Sequence, residues 1–237
     1  MKTAIILAGG LGTRLRPVVS DVPKPMALVN GRPFLAYLMD YWIAQGISQF
    51  ILSVGYLKEV IIKYFGNSYR GADIDYVVEE APLGTGGGVL LAAKNLAMDE
   101  YFILLNGDTF FNVDLNLLSA CAESGDADGC FSLFRATEPN RYGRIDCNEF
   151  GQITKLNITK AETGDLANGG VYVLRRSALL EEQAEPGHKV SLEDEIFPLA
   201  LAMGRRFYGV EFAGSFIDIG VPSDYLRASR VLVGASV

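Results

Sequence analysis

The chain has 237 residues, 49% of them hydrophobic and 21% charged, with a mean hydropathy of +0.20. This is a globular composition, long enough to bury a substantial core in one large domain or one domain with a small lobe, and it excludes collagen-like repetition and intrinsic disorder. A formal net charge of −7, from 21 basic and 28 acidic side chains, argues against nucleic acid or a membrane surface as partner, while leaving room for a locally basic nucleotide pocket.

Along the chain, Thr3 to Ala8 is a short apolar run that leads straight into glycines. It reads as a buried first strand rather than a leader peptide, and no run approaches membrane-spanning length, so the expected location is cytoplasmic. Phe34 to Gln45 reads as a helix, with Phe34, Leu38, Tyr41 and Trp42 on one face. A strand at Phe50 to Val54, a helix at Leu57 to Phe65 and a strand at Ile74 to Val78 follow. A helix at Gly86 to Leu96 and a strand at Tyr101 to Leu105 complete the first half. This alternation predicts an α/β fold, a Rossmann-like doubly wound sheet covered on both faces. The second half is less regular. Gly129 to Phe134, Gly143 to Asp146, Ile153 to Leu156 and Val171 to Leu174 read as strands, and Glu193 to Met203 as a helix. Phe207 to Phe212 and Phe216 to Ile219 are further strands, and Pro222 to Leu232 a last helix. Together they predict a mixed sheet with a small antiparallel lobe in one domain, 1–237, without a clear internal boundary.

Cys121, Cys130 and Cys147 are odd in number and form no CxxC pair, which predicts reduced, structural thiols and no zinc site. His188, the single histidine, sits in a polar stretch that reads as an exposed loop, so a histidine-activated nucleophile has little support.

The chemistry concentrates where open α/β sheets bind ligands, beyond the carboxyl ends of strands. Leu7-Ala8-Gly9-Gly10-Leu11-Gly12-Thr13-Arg14 places glycines, whose N–H groups can approach phosphate closely, before an arginine with planar bidentate donors. The third glycine of a dinucleotide fingerprint is missing, as is the Gly-Lys-Ser/Thr of a P-loop, so a terminal triphosphate is the better fit. Pro23-Lys24-Pro25 pins a lysine between prolines, suiting a fixed charge beside a reacting phosphate. Asp108 follows the strand from Tyr101, and Asp218 lies in a late strand.

The run Leu7 to Pro17 with Lys24-Pro25 resembles the signature of the sugar-phosphate nucleotidyltransferase family. The matches continue in order with Pro82 to Gly87, Asn106-Gly107-Asp108, Asn168 to Tyr172 and Phe216 to Gly220, covering essentially the whole chain. The resemblance implies a nucleotide-binding part mainly at 1–115 and a sugar-binding part mainly at 116–220. It implies a nucleoside triphosphate and a sugar 1-phosphate as substrates, pyrophosphate as leaving group, and Mg2+ held by Asp108 and Asp218. Arg14, Lys24 and Asp108 become the catalytic residues. Leu7, Ala8, Gly9, Gly10, Gly12, Thr13, Arg14, Glu79, Gly84 and Thr85 become the nucleotide contacts. Asn106, Gly107, Tyr142, Gly143, Lys160, Asn168, Gly169 and Glu193 become the sugar-phosphate contacts, although the family's Glu-Lys pair is here Thr159-Lys160 with Glu162 displaced. A carboxylate at Glu79, with Glu80 as rival, would accept from the ring N–H and exocyclic amine of guanine, which favours GTP. The implied sugar is a heptose 1-phosphate destined for surface polysaccharide. Mannose 1-phosphate with GTP, N-acetylmuramate 1-phosphate with UTP, and a sugar-nucleotide-binding regulatory subunit stay open as alternatives. The class admits a homodimer, which no segment of the sequence specifies.

Overall fold

A computed structural model describes residues 1–15, 17–125, 127–179 and 189–233. In chain order, β1 (Thr3–Ala8) is followed by a small ribbon, β2 (Leu28–Val29) with β3 (Arg32–Pro33), then α1 (Phe34–Ala44) and β4 (Gln49–Val54). Next come α2 (Lys58–Phe65), β5 (Ser68–Tyr69), β6 (Ala72–Val78), α3 (Gly84–Ala92) and β7 (Tyr101–Asn106). The chain continues through β8 (Thr109–Phe111), α4 (Leu115–Glu123), β9 (Gly129–Arg135), β10 (Gly143–Cys147), β11 (Ile153–Lys160) and β12 (Leu166–Arg175). It finishes with α5 (Phe197–Ala202), β13 (Phe207–Glu211), β14 (Phe216–Asp218) and α6 (Pro222–Val233).

Strands β7, β1, β4 and β6 lie side by side and parallel, with β5 antiparallel at the outer edge. Ala4, Ile5 and Ile6 of β1 are fully buried, as a strand covered on both faces requires. The strand order runs outward from β1 through β4 to β6 and then returns to β7 on the other side of β1. The crevice between β1 and β7 is therefore a topological switch point, where such sheets open a binding cleft.

The antiparallel part joins the parallel part through one long strand. Val171 to Arg175 of β12 pair with β7, and Ala167 pairs with Arg144 of β10. The opposite edge of β12 pairs with β9, which in turn holds β13 in parallel. The mixed sheet and antiparallel lobe expected from the sequence are both present. Helix α1 buries Phe34, Leu38, Tyr41 and Trp42 as its periodicity predicts.

Four features differ from the sequence reading. Helix α4 stands where no helix was expected, capped by Asp114, which accepts the N–H groups of Asn116 (2.8 Å) and Leu117 (3.4 Å). Strand β12 extends to Leu166, past Asn168-Gly169-Gly170, because those residues form an irregularity within the strand, with Gly170 at φ 71°, rather than ending it. The helix expected from Glu193 opens instead with a π-helical turn, Leu192–Ile196, before α5. Finally, the expectation of reduced thiols is corrected: Cys121 and Cys130 are disulfide-bonded, leaving Cys147 free. Their pairing follows from α4 packing on β9, which brings their Cα atoms to 6.1 Å, within bridging range. His188 lies outside the described residues. No helix among the described residues is long and apolar enough to cross a membrane.

Candidate active site

The carboxyl ends of the parallel strands surround a cleft of about 790 Å3. Its lining brings together Leu7, Gly9, Gly10, Gly12, Thr13 and Arg14 of the glycine loop, Glu79, Gly84 and Thr85, and Asn106, Asp108 and Glu193. A smaller adjoining recess adds Ala8, Lys24 and Gly220. The glycines are dictated by close approach. A Cβ on Gly9 would lie 2.3 Å from Glu79 Oε1, and one on Gly107 would lie 2.5 Å from the Leu7 carbonyl oxygen. A side chain at Gly107 would push apart the strand ends that shape the cleft, and one at Gly9 would displace the Glu79 carboxylate. Gly10 has open space above it and can turn toward a ligand.

Three charged groups from distant parts of the chain meet at the recess. The Lys24 ammonium donates to Asp108 Oδ2 and stands 3.6 Å from Asp218 Oδ1. The short strands β8 and β14 make this meeting, with Thr109 paired to Asp218 and the Ile219 N–H donating to the Asp108 carbonyl. The Lys24 side chain is 10% exposed, so its charge is poorly screened by solvent. Burial, and then the neighbouring Asp108 charge, push the Asp218 carboxyl above its ordinary pKa; Lys24 and the Gly220 N–H pull it back. Two facing carboxylates with hard oxygen donors suit a magnesium ion that takes its remaining ligands from phosphate and water.

Elsewhere in the cleft, hydroxyl and amide groups surround the Glu193 carboxyl. Thr85 Oγ1 donates to Glu193 Oε2 (2.8 Å) and accepts the Leu192 N–H (2.8 Å). Tyr172 lies 3.5 Å from Glu193 Oε1 and accepts from Asn168 Nδ2 at 2.6 Å. Burial raises the Glu193 carboxyl, opposed by the Thr85 and Asn106 hydrogen bonds. Burial also drives Tyr172 well above the ordinary phenol value, so it is a neutral hydroxyl. Asn106 lines the cleft, and its Oδ1 is buried without a hydrogen-bond partner among the described residues.

Lys24, Asp108 and Asp218 thus converge, and so do the glycine loop, Glu79, Gly84, Thr85, Asn106 and Glu193. Glu79 lines the cleft while Glu80 is exposed outside it. Asn168 reaches the cleft only through Tyr172, and Gly169 is packed against Phe111 and Ser132. Tyr142 lines a separate recess of about 340 Å3 on the far side of Asp218, with its phenol raised to about 12, chiefly by burial. Gly143 and Lys160 pair with each other across β10 and β11, and the Lys160 side chain is exposed outside both cavities.

The segment Lys189 to Glu195 adds Lys189, Val190, Ser191, Asp194 and Glu195 to the cleft, none of them candidates from the sequence. Backbone bonds from Val190 N–H to Leu83 (2.9 Å) and from Gly86 N–H to Val190 (2.9 Å) fasten this segment to the start of α3. Gly84 permits the contact, since a Cβ there would lie 2.4 Å from the Val190 oxygen. The signal in the sequence was the glycine run itself, unusually dense for a helix.

A parallel sheet with a glycine loop at its switch point, a lysine and two carboxylates defines a nucleotide-binding α/β protein suited to phosphoryl chemistry. Comparison with known proteins gives the family. The Nucleotidyl transferase model matches residues 3–233, and the chain belongs to that family. It is 40% identical over 229 residues to D-glycero-alpha-D-manno-heptose 1-phosphate guanylyltransferase of Aneurinibacillus thermoaerophilus, covering 97% of each chain. It is 38% identical to mannose-1-phosphate guanylyltransferase of Mycobacterium tuberculosis, across 97% of this chain and 64% of that one. Among solved structures, HddC from Yersinia pseudotuberculosis complexed with GMP-PN superposes with a TM-score of 0.81 at 33% identity, covering 97% of this chain and 99% of that one.

Proposed function

We propose that this chain transfers a guanylyl group from GTP to D-glycero-α-D-manno-heptose 1-phosphate, releasing pyrophosphate. The observation that carries the reading is the meeting of two adjoining cavities, a cleft lined by the glycine loop, Glu79, Asp108 and Glu193 and a recess lined by Lys24 and Asp108, with Asp218 3.6 Å from the Lys24 ammonium. Similarity to the Aneurinibacillus heptose enzyme along nearly the full length of both chains supports the sugar.

In this reading a phosphate oxygen of the sugar 1-phosphate attacks the α-phosphorus of GTP in line, and the bond to the β-phosphate oxygen breaks. The nucleophile is already anionic at neutral pH, so the protein's work is positioning and charge neutralisation rather than proton abstraction. Backbone N–H groups of the loop from Gly9 to Thr13 receive the phosphates, and Arg14 holds the leaving pyrophosphate. Lys24 steadies the α-phosphate as charge develops. Asp108 and Asp218 would hold magnesium, which when bound supplies charge neutralisation on the phosphates. Glu79 accepts from guanine. Glu193, Asn106 and Thr85 meet the sugar hydroxyls, the Asn106 oxygen being the acceptor still without a donor.

The test is pyrophosphate release with magnesium, crossing GTP, UTP, dTTP, CTP and ATP with heptose, mannose, glucose and N-acetylmuramate 1-phosphates. Release with GTP and heptose 1-phosphate is expected. A different productive pair would overturn the substrate assignment and keep the class. Nucleotide binding without release from any pair would favour a regulatory subunit.

A further inference from the structure

We infer that Ser53 is a positioning residue for base selection: its buried hydroxyl aims the Glu79 carboxylate at the guanine edge. This rests on the reading of Glu79 as the guanine acceptor. Ser53 is fully buried in an otherwise apolar stretch, Ile51-Leu52-Ser53-Val54, where packing alone would favour another aliphatic residue. Its register, opposite Leu7 on β1 and Val77 on β6, puts it between the glycine-loop strand and the strand that leads into Glu79.

The hydroxyl donates to Glu79 Oε1 at 2.8 Å, and the Leu83 N–H donates to Oε2 at 3.2 Å. Each carboxylate oxygen is therefore held by one donor and retains capacity to accept another. The slot that receives the carboxylate is cut to fit. A Cβ on Gly9 would stand 2.3 Å from Glu79 Oε1, and one on Gly88 would stand 3.1 Å from it and 3.2 Å from Ser53 Oγ. Two donors and two missing side chains fix the rotation of one carboxylate, and a fixed rotation is what recognition of two adjacent donors needs. Without Ser53, Oε1 loses its anchor and the carboxylate can turn about its last bond, while Leu83 still holds the side chain in place.

GTP and inosine triphosphate provide the probe, because they differ only in the exocyclic amine that the second carboxylate oxygen would accept. Steady-state kinetics with both nucleotides is measured on the native enzyme, Ser53→Ala, Glu79→Gln and the double variant. Ser53→Ala is expected to shrink the preference for GTP over inosine triphosphate about fivefold, through KM rather than kcat. In the Glu79→Gln background it is expected to change the preference no further. If Glu79→Gln collapses the preference and Ser53→Ala leaves it intact, the role of Ser53 is overturned and that of Glu79 stands. A loss that falls equally on both nucleotides, or a further loss in the Glu79→Gln background, would also overturn it, as the mark of a general packing role. If Glu79→Gln leaves the preference unchanged, the reading of Glu79 fails, and the inference falls with it.

Discussion

The cleft carries carboxylates at both ends, wired in opposite ways. At the phosphate end, Asp108 and Asp218 share the ammonium of Lys24. At the far end, Glu193 is held by the Thr85 hydroxyl, with the Tyr172 phenol and the Asn106 amide close by. Burial pushes both Asp218 and Glu193 upward, but only Asp218 has an ammonium pulling back. The first arrangement is a place where one cation can be exchanged for another. The second surrounds a carboxyl with uncharged hydroxyl and amide groups. One functional group, the carboxylate, thus meets an ammonium at one end of the cleft and uncharged groups at the other, and the neighbours set its electrostatics.

The contrast can be broken most sharply at Asp108. Asp108→Asn is expected to lower turnover by a hundredfold or more, an order-of-magnitude figure for losing a site that stabilises developing charge. Pyrophosphate release at saturating magnesium measures it, and near-native rates would remove Asp108 from the metal site. Lys24→Gln comes next, with turnover down about tenfold. In chelator its Tm is expected to fall by about 4 °C, as two carboxylates lose their shared cation, and magnesium should recover most of that fall. A Tm indifferent to magnesium would show that the carboxylates do not take the metal in place of the ammonium.

At the other end the effects are smaller. Thr85→Val is expected to raise KM for the sugar 1-phosphate about fivefold while leaving KM for GTP within about twofold. The reverse pattern would assign Thr85 to the nucleotide, as its sequence position suggested. Glu193→Gln should raise Tm slightly at pH 7.5, by about 2 °C. The sign follows from the raised carboxyl: the folded chain takes up this proton more readily than the unfolded chain, so the ionised form costs stability at neutral pH. That cost disappears as the pH falls through the raised value and Glu193 protonates. The gap between variant and native protein should therefore close on acidification, and thermal melts at pH 5 and 7.5 would show whether it does.

Much of this was legible in the residues. The parallel strands announced themselves as apolar runs, and the glycine loop stands where such a sheet places its ligands. The α4 signal was also there, in Asp114 followed by Leu115, Leu118 and Ala122 at helical spacing, all three buried in the structure. What local pattern could not supply were the pairings across the chain. Asp218 reaches Asp108 only because β14 pairs with β8, and the expectation that they share a site came from resemblance, not from spacing. Cys121 and Cys130 show the converse: parity and spacing argued for free thiols, and the packing of α4 on β9 brought them together. Ser53 was invisible for a different reason. A lone hydroxyl in an apolar strand has no local partner, and its meaning depends on Glu79 arriving from the next parallel strand.

Gly84 has an evolutionary consequence. Its missing side chain makes room for a backbone oxygen of Val190, more than a hundred residues away in the chain, rather than for a phosphate. Descent should therefore hold position 84 to glycine on two counts, the seat of the segment from Lys189 to Glu195 and a left-handed backbone at φ 76°. A lineage that reshapes that segment would relieve the first constraint and keep the second.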